Sequence, residues 1–370
     1  MSRLRSCARI RCAPLGALLC LLAFATEPAF AQPASSEEQN RADAAAVSAQ
    51  FEAGVDQIAE SLGGDARYQN MSLDARKNLV EFVAGNMLFV LVHERGHALV
   101  TEMGLPVLGR EEDAADSHAI LTMLRVGTTV SHRVLAEAAK GWFLSDLRDK
   151  NEGLKLAFYD EHGLDQQRAF MIVCLMVGSD PEKFKDLADE TKLPEDRQGS
   201  CQGDYSNASW SWDLVLKPHR RAADQPKTKI EIVYGEGKGS LAPFAKSART
   251  LGLLEIVANR SAQDYIWRAP FTLEMQTCGS SNSHWDVSTH KLTLCYEMAA
   301  EFADLYRDYA DNPISVTPRR SVNIRLALLG AFGAALLGYC FGYFHRMHSR
   351  AHRSAAGEHL EEKHMAEKIA

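Results

Sequence analysis

Positive charge is the first thing this chain lacks. Its 41 lysines and arginines are outnumbered by 48 aspartates and glutamates, giving a formal net charge of −7. No basic stripe gathers the cations that are present, so nucleic acid is excluded as a partner. There is also no Gly-rich phosphate loop, no Gly-x-Ser-x-Gly elbow and no Cys-x-x-Cys pair. Those absences remove nucleotide hydrolysis, serine-hydrolase chemistry and thioredoxin-like exchange. No internal repeat or long low-complexity tract divides the chain.

Long apolar runs are scarce as well, and the two that exist lie near the ends. Arg3, Arg5, Arg9 and Arg11 form a basic leader, Leu15 to Phe24 an apolar core, and Ala29-Phe30-Ala31 a small-x-small cleavage pattern. Residues 1–31 therefore read as a signal peptide, cut before Gln32. At the other end, Leu326 to Phe344 carries no charge. At about 1.5 Å per residue it reaches roughly 28 Å, enough to cross a bilayer core. A transmembrane helix is expected over residues 324–344, with everything upstream exported and a tail, 345–370, left in the cytoplasm. Gly330, Ala334, Gly338 and Gly342 recur every four residues along it, a register that lets two such helices pack closely into a homodimer.

Of the eight cysteines, Cys7, Cys12 and Cys20 fall in the leader and Cys340 in the apolar run. The four that remain, Cys174, Cys201, Cys278 and Cys295, are an even set in an oxidising compartment, which predicts two disulfides. Proximity favours Cys174 with Cys201 and Cys278 with Cys295, although three pairings are open.

The exported part divides by pattern into a flexible lead-in (32–50), a helical domain (51–218), a polar linker (219–229) and an α+β region (230–310). In the helical domain, Ser72 is placed to cap a long apolar helix that Gly104 and Pro106 stop. In the last region KIEIVYG, FTLEMQTC and KLTLCYEM read as strands. The second and third form a hairpin across the turn-rich GSSNSHWDVSTH, stapled by Cys278 and Cys295. The fold class expected is α+β: a mainly helical domain with a small C-terminal disulfide-stapled α/β region.

The chemistry is concentrated in FVLVHERGHALVTEMGLPVLGREEDAAD. Zinc in a hydrolytic site takes three protein ligands and keeps a fourth position for water. His93 and His97, at i and i+4, project from one helix face and can hold one ion. Glu94 lies beside the first ligand, where it can take a proton from water and deliver it to the leaving amine. The apolar neighbours on both sides of the motif argue against a surface helix with incidental histidines. Val100 and Met103 stand where a three-histidine site would need Gly and His, so the third ligand must be sought elsewhere. GREEDAADSHA offers Glu111, Glu112 and Asp113 at the start of a second helix. Glu112 and Asp116 are one turn apart, so Glu112 can ligate while Asp116 orients a ligand histidine. An acidic first turn favoured by the helix dipole explains the same residues without a metal.

Together with AAKGWF, YDEHGLDQQR, VCLMVGSDPEKF, LPEDRQGSC, SWSWDLVL and CGSSNSHWDVSTHKLTLCYE, this stretch resembles a bacterial metallopeptidase family catalogued as a domain of unknown function. The resemblance runs from about Ala84 to Glu301. It implies a gluzincin-type zinc peptidase with His93, His97 and Glu112 as ligands, Glu94 as base, and a peptide or protein as substrate. The bacterial character of the family makes the expected location the periplasmic face of the inner membrane.

An oxyanion donor is also needed. Tyr159, His162 and Arg168 are available, and His162 is the first candidate. Trp142, Trp210 and Trp212 are read as packing residues. KLTLCYEM is expected to fold back and offer an edge strand on which substrate adds beside the metal. The reading from another class is a non-catalytic envelope protein with a structural or vestigial metal site and an independent β-rich partner-binding module.

Overall fold

The long second helix is where the fold starts. The computed structural model describes residues 36–310. Within it α1 spans Ser36–Ser61 and α2 Leu73–Met103. Ser72 caps α2 by accepting from the Ala75 N–H at 3.1 Å, and Gly104 ends it in the left-handed region at φ 63. Only glycine adopts that conformation without a steric cost. Buried residues occur on every side of α2, so it is a central helix and not a surface one.

Around it pack α3 (Glu111–Val126), α4 (Thr129–Asn151), α5 (Asp165–Ser179), the short α6 (Lys185–Glu190) and α7 (Glu195–Leu216). The approach of α2 and α3 depends on Gly96. A Cβ placed there would lie 2.9 Å from the Ala115 Cα, too close for any side chain, so glycine lets the two backbones meet. Helices α5 and α7 are joined by the Cys174–Cys201 disulfide.

The remainder is β1 (Ile230–Tyr234), α8 (Ala242–Leu251), α9 (Leu253–Asp264), β2 (Phe271–Gln276), β3 (Ser283–Asp286), β4 (Lys291–Cys295) and α10 (Tyr296–Tyr309). The strands form one mixed sheet in the order β1-β2-β4-β3. β1, β2 and β4 are parallel, and β3 runs antiparallel to β4 with Trp285 opposite Leu292. Cys278 and Cys295 are bonded, so both disulfides have the pairing that proximity favours.

Several expectations need correction. FTLEMQ and KLTLC are parallel neighbours, not a hairpin; the antiparallel partner of β4 is SHWD, inside the segment expected to be a turn. β4 is therefore an inner strand, buried from Leu292 to Cys295, and the edge strand beyond it is β3, with β1 at the opposite edge. A strand covered on both faces selects apolar residues throughout, which is why KLTLC is rich in them. Residues 36–50, expected to be a flexible lead-in, form the first half of α1; the alanine-rich stretch Ala44–Ala49 favours helix. The two regions of the chain also share one core. A single buried cluster contains Phe51, Leu91 and Val173 together with Leu254, Met275 and Leu292, so the sheet is not an independent module.

No helix among the described residues is long and apolar enough to cross a membrane. The leader, the run 326–344 with its Gly330–Gly342 stripe, and the tail lie outside the described residues.

Candidate metal centre and cleft

The two histidines of α2 are spaced one turn apart, so both rings leave the same face, and the α2–α3 contact at Gly96 brings the first turn of α3 beneath them. The result is a knot of nitrogens around one oxygen. Glu112 Oε2 lies 3.0 Å from His93 Nε2 and 3.3 Å from His97 Nε2, and the two Nε2 atoms are 3.2 Å apart. Donor atoms on a zinc ion at 2.0–2.1 Å in tetrahedral geometry are about 3.3 Å from one another. The spacing of these three donors therefore fits such an ion.

Each donor is aimed by a further partner. Asp116 accepts from His93 Nδ1–H at 2.7 Å, which fixes the tautomer and turns Nε2 toward Glu112. Asp116 is in turn gripped by Arg168, whose Nε and Nη2 donate to its two oxygens at 2.7 Å each. Arg168 also stacks on the Trp142 ring at 3.8 Å. Glu111 pairs with His97 Nδ1 at 2.8 Å, and Asp113 is held by Arg110. Of the three first-turn carboxylates, Glu112 is thus the one that reaches both histidines.

His162 arrives from the loop before α5. Its Nε2 is 3.0 Å from the same Glu112 oxygen, its Nδ1 lies 3.1 Å from Asp160, and its carbonyl accepts from Arg110 Nη1. His93, Glu112 and His162 also form a group able to hold a metal ion. A second such group, Cys278, Cys295 and Glu297, is no metal site: its sulfurs are joined in a disulfide, and Glu297 accepts the Cys278 and Gly279 N–H groups.

The electrostatics follow from one carboxylate meeting three imidazoles. Burial opposes charge on Glu112, yet hydrogen bonds from His162, His93 and His97 hold its pKa far below the usual carboxylate range. Burial also opposes charge on His97, but Glu112 and Glu111 push it up to about 9. His93 is raised against its burial by Asp116 and Glu112, and His162 by Glu112 first of all. Asp116 is buried, and the Arg168 charge outweighs that burial to lower it to about 2. In the metal-free protein, protons take the role a divalent cation would fill.

Glu94 is 7% exposed and stands in the wall of a cleft of about 450 Å³. Val90, Trp142, Leu156, Asp165 and Met298 contribute to the rest of that wall. Ser283 Oγ, on β3, donates to Glu94 Oε1 at 2.6 Å. In the turn between β3 and β4, His290 Nδ1 meets Glu102 Oε1 at 2.8 Å, so β3 and the turn after it lie alongside α2.

Of the three oxyanion candidates, His162 is in the cleft wall, Arg168 is committed to Asp116, and Tyr159 is 93% exposed outside that wall. Among the tryptophans, Trp212 is buried with its Nε1 donating to Ser117, Trp210 is 67% exposed, and Trp142 belongs to the site as well as to packing. Sequence reasoning missed Ser283, Glu111 as the His97 partner, and Arg168 as the clamp on Asp116. The Ser283–Glu94 pair spans 189 positions, and no local pattern joins residues so far apart.

Residues 54–216 match the family model DUF4344, described as "Putative metallopeptidase". The match is to the kind of family the sequence resembles, and it contains both histidines, Glu94, Glu112, Asp116, His162 and Arg168. It ends before β1, so the sheet that supplies Ser283 lies beyond it. Comparison with curated proteins and with solved structures returned no match.

Proposed function

We propose that this chain is a zinc-dependent metallopeptidase hydrolysing peptide bonds, with His93, His97 and Glu112 as metal ligands and Glu94 as general base. One observation carries this reading: three donors from two helices stand at tetrahedral spacing, while Glu94, beside the first ligand, is bonded to Ser283 and lines an open cleft. A structural zinc needs no such base and fills all four positions with protein. Zinc, when bound, supplies Lewis acidity that polarises a carbonyl and lowers the pKa of water.

The chain's own residues do the rest. Ser283 holds Glu94 Oε1, leaving the second oxygen to accept a proton from water and pass it to the leaving amine. Asp116 keeps His93 in the tautomer that presents Nε2. His162, on an exposed loop, can turn its Nε2 toward the developing oxyanion. β3 is the last strand of its sheet, and an extended peptide adding to its outer edge would run along the cleft. The leader and the run 326–344 would carry this domain to the periplasmic face of the bacterial inner membrane and anchor it by one pass, with Gly330, Ala334, Gly338 and Gly342 as the packing face of a homodimer.

A second reading rests on His162. If it served as a fourth protein ligand beside Glu112, the site would be closed and structural, as in a non-catalytic envelope protein. Hydrolysis of an unfolded protein by the zinc-loaded full-length chain separates the two. The catalytic reading expects turnover in wild type and its loss in Glu94→Gln with metal content unchanged. Full metal content with no turnover in either protein supports the structural reading.

A further inference from the structure

Helix α4 brings one aromatic ring to the metal centre. Gly141 allows it: a Cβ there would collide with Asn86 Oδ1 on α2, so glycine lets the two helices close. Asn86 is itself buried and spans the joint, its Nδ2 donating to the Phe82 carbonyl at 2.8 Å and to the Glu137 carbonyl at 3.1 Å. The next residue, Trp142, is thereby held in the wall of the catalytic cleft, and its ring carries the Arg168 guanidinium at 3.8 Å.

Beyond Arg168 the contacts run without a gap to the first histidine of the site. Arg168 Nε and Nη2 donate to Asp116 Oδ2 and Oδ1 at 2.7 Å each, and Oδ1 is also the atom that accepts from His93 Nδ1–H at 2.7 Å. A two-point pair brings guanidinium and carboxylate toward one plane. The lone pair that Oδ1 offers His93 therefore depends on how that plane is turned. A flat ring against one face of the guanidinium fixes the turn. Arg168, Asp116 and His93 are 7%, 2% and 4% exposed, and a cation–π contact is strongest where water is excluded.

We propose that Trp142 is a positioning residue of the metal centre, its ring holding Arg168 in the plane from which Asp116 aims His93 Nε2. The inference rests on His93 being a metal ligand, and it gives the tryptophan of AAKGWF a task besides packing. A leucine would fill much of the same space yet offer no face to the guanidinium, whereas phenylalanine offers one. Loss of an outer partner costs about 10–100-fold in metal affinity. Trp142 acts one step further out, so the lower end of that range is expected.

Zinc titration of the full-length chain, with the His93 Nδ1–H proton signal of the metal-free chain as a second readout, tests this. That proton, held by a buried carboxylate at 2.7 Å, should give a slowly exchanging NMR signal that Asp116→Ala removes. Trp142→Leu should weaken zinc about ten-fold and speed exchange of the proton. Trp142→Phe should keep both within about three-fold of wild type. Phe143→Leu, which disturbs the Phe143–Phe170 contact between the same two helices, should change neither. In an Asp116→Ala background Trp142→Leu should add nothing, because its effect passes through that carboxylate. Wild-type zinc affinity and an unmoved proton in Trp142→Leu overturn the proposal. So does an equal loss in Trp142→Phe or in Phe143→Leu, which would reduce Trp142 to packing. A wild-type chain that takes up no zinc overturns the metal reading instead, and the metal-free signal still decides the role of Trp142.

Discussion

The two faces of α2 bury charge in different ways. On the metal face, His93, His97, Glu112 and Asp116 each meet a partner from another element, and even the base Glu94 is held by Ser283. On the other face, Arg95 is as deeply buried, yet one of its donors has none. Full satisfaction on one side describes a pre-organised centre whose geometry is set before any ligand arrives. Arg95 has looser contacts in compensation, with the Tyr265 ring 5.9 Å away and Asp264 3.9 Å away. The comparison shows that burial alone does not mark a site; polar groups converging on one point do.

Removing a ligand should break the metal face most severely. Glu112→Ala takes away the oxygen on which three imidazoles converge, and metal affinity should fall by more than about 100-fold, beyond what loss of an outer partner costs. Isothermal titration with zinc measures this, and an unchanged affinity would remove Glu112 from the site.

Next comes the contact that aligns the two helices. Gly96→Val drives a side chain into Ala115 and should destabilise the fold by about 1–3 kcal/mol, read by denaturant unfolding. The metal face should suffer with it, because α3 can no longer place Glu112.

A smaller effect is expected at Ser283. Ser283→Ala leaves the ligands in place and frees the Glu94 carboxylate, so kcat should drop by about ten-fold, the value of one hydrogen bond to a charged group, with KM little changed. Thr at that position should restore it.

The mildest test is pH. His97 is raised to about 9 in the metal-free protein, so its protonation stabilises the metal-free fold fully below pH 6.5 and that contribution is lost as pH rises to about 9. Metal requires the neutral imidazole and releases the proton. The Tm of the metal-free protein should therefore fall between pH 6.5 and 9 while that of the zinc-loaded protein does not.

How much of this was legible in the sequence depends on separation along the chain. The i, i+4 histidines, Glu94 and the first turn of α3 are short-range features, and helical geometry alone sets how they project. Cys174–Cys201 and Cys278–Cys295 follow from proximity. The sheet was harder. SHWD is four residues inside a turn-rich segment, too short for a period to declare itself, and parallel and antiparallel pairing leave similar traces in FTLEMQ and KLTLC. Ser283 and Arg168 act on residues far away in sequence, where only the folded chain supplies the contact.

The central claim is that two imidazoles and Glu112 hold a cation whose fourth position belongs to solvent. X-ray absorption of the zinc-loaded full-length protein, compared with His162→Ala, tests it most directly. Two histidine nitrogens and carboxylate and solvent oxygens at about 2.0–2.1 Å, unchanged by the substitution, are predicted. A third imidazole in the wild-type spectrum that disappears with His162→Ala would contradict the claim and make the site a closed, structural one.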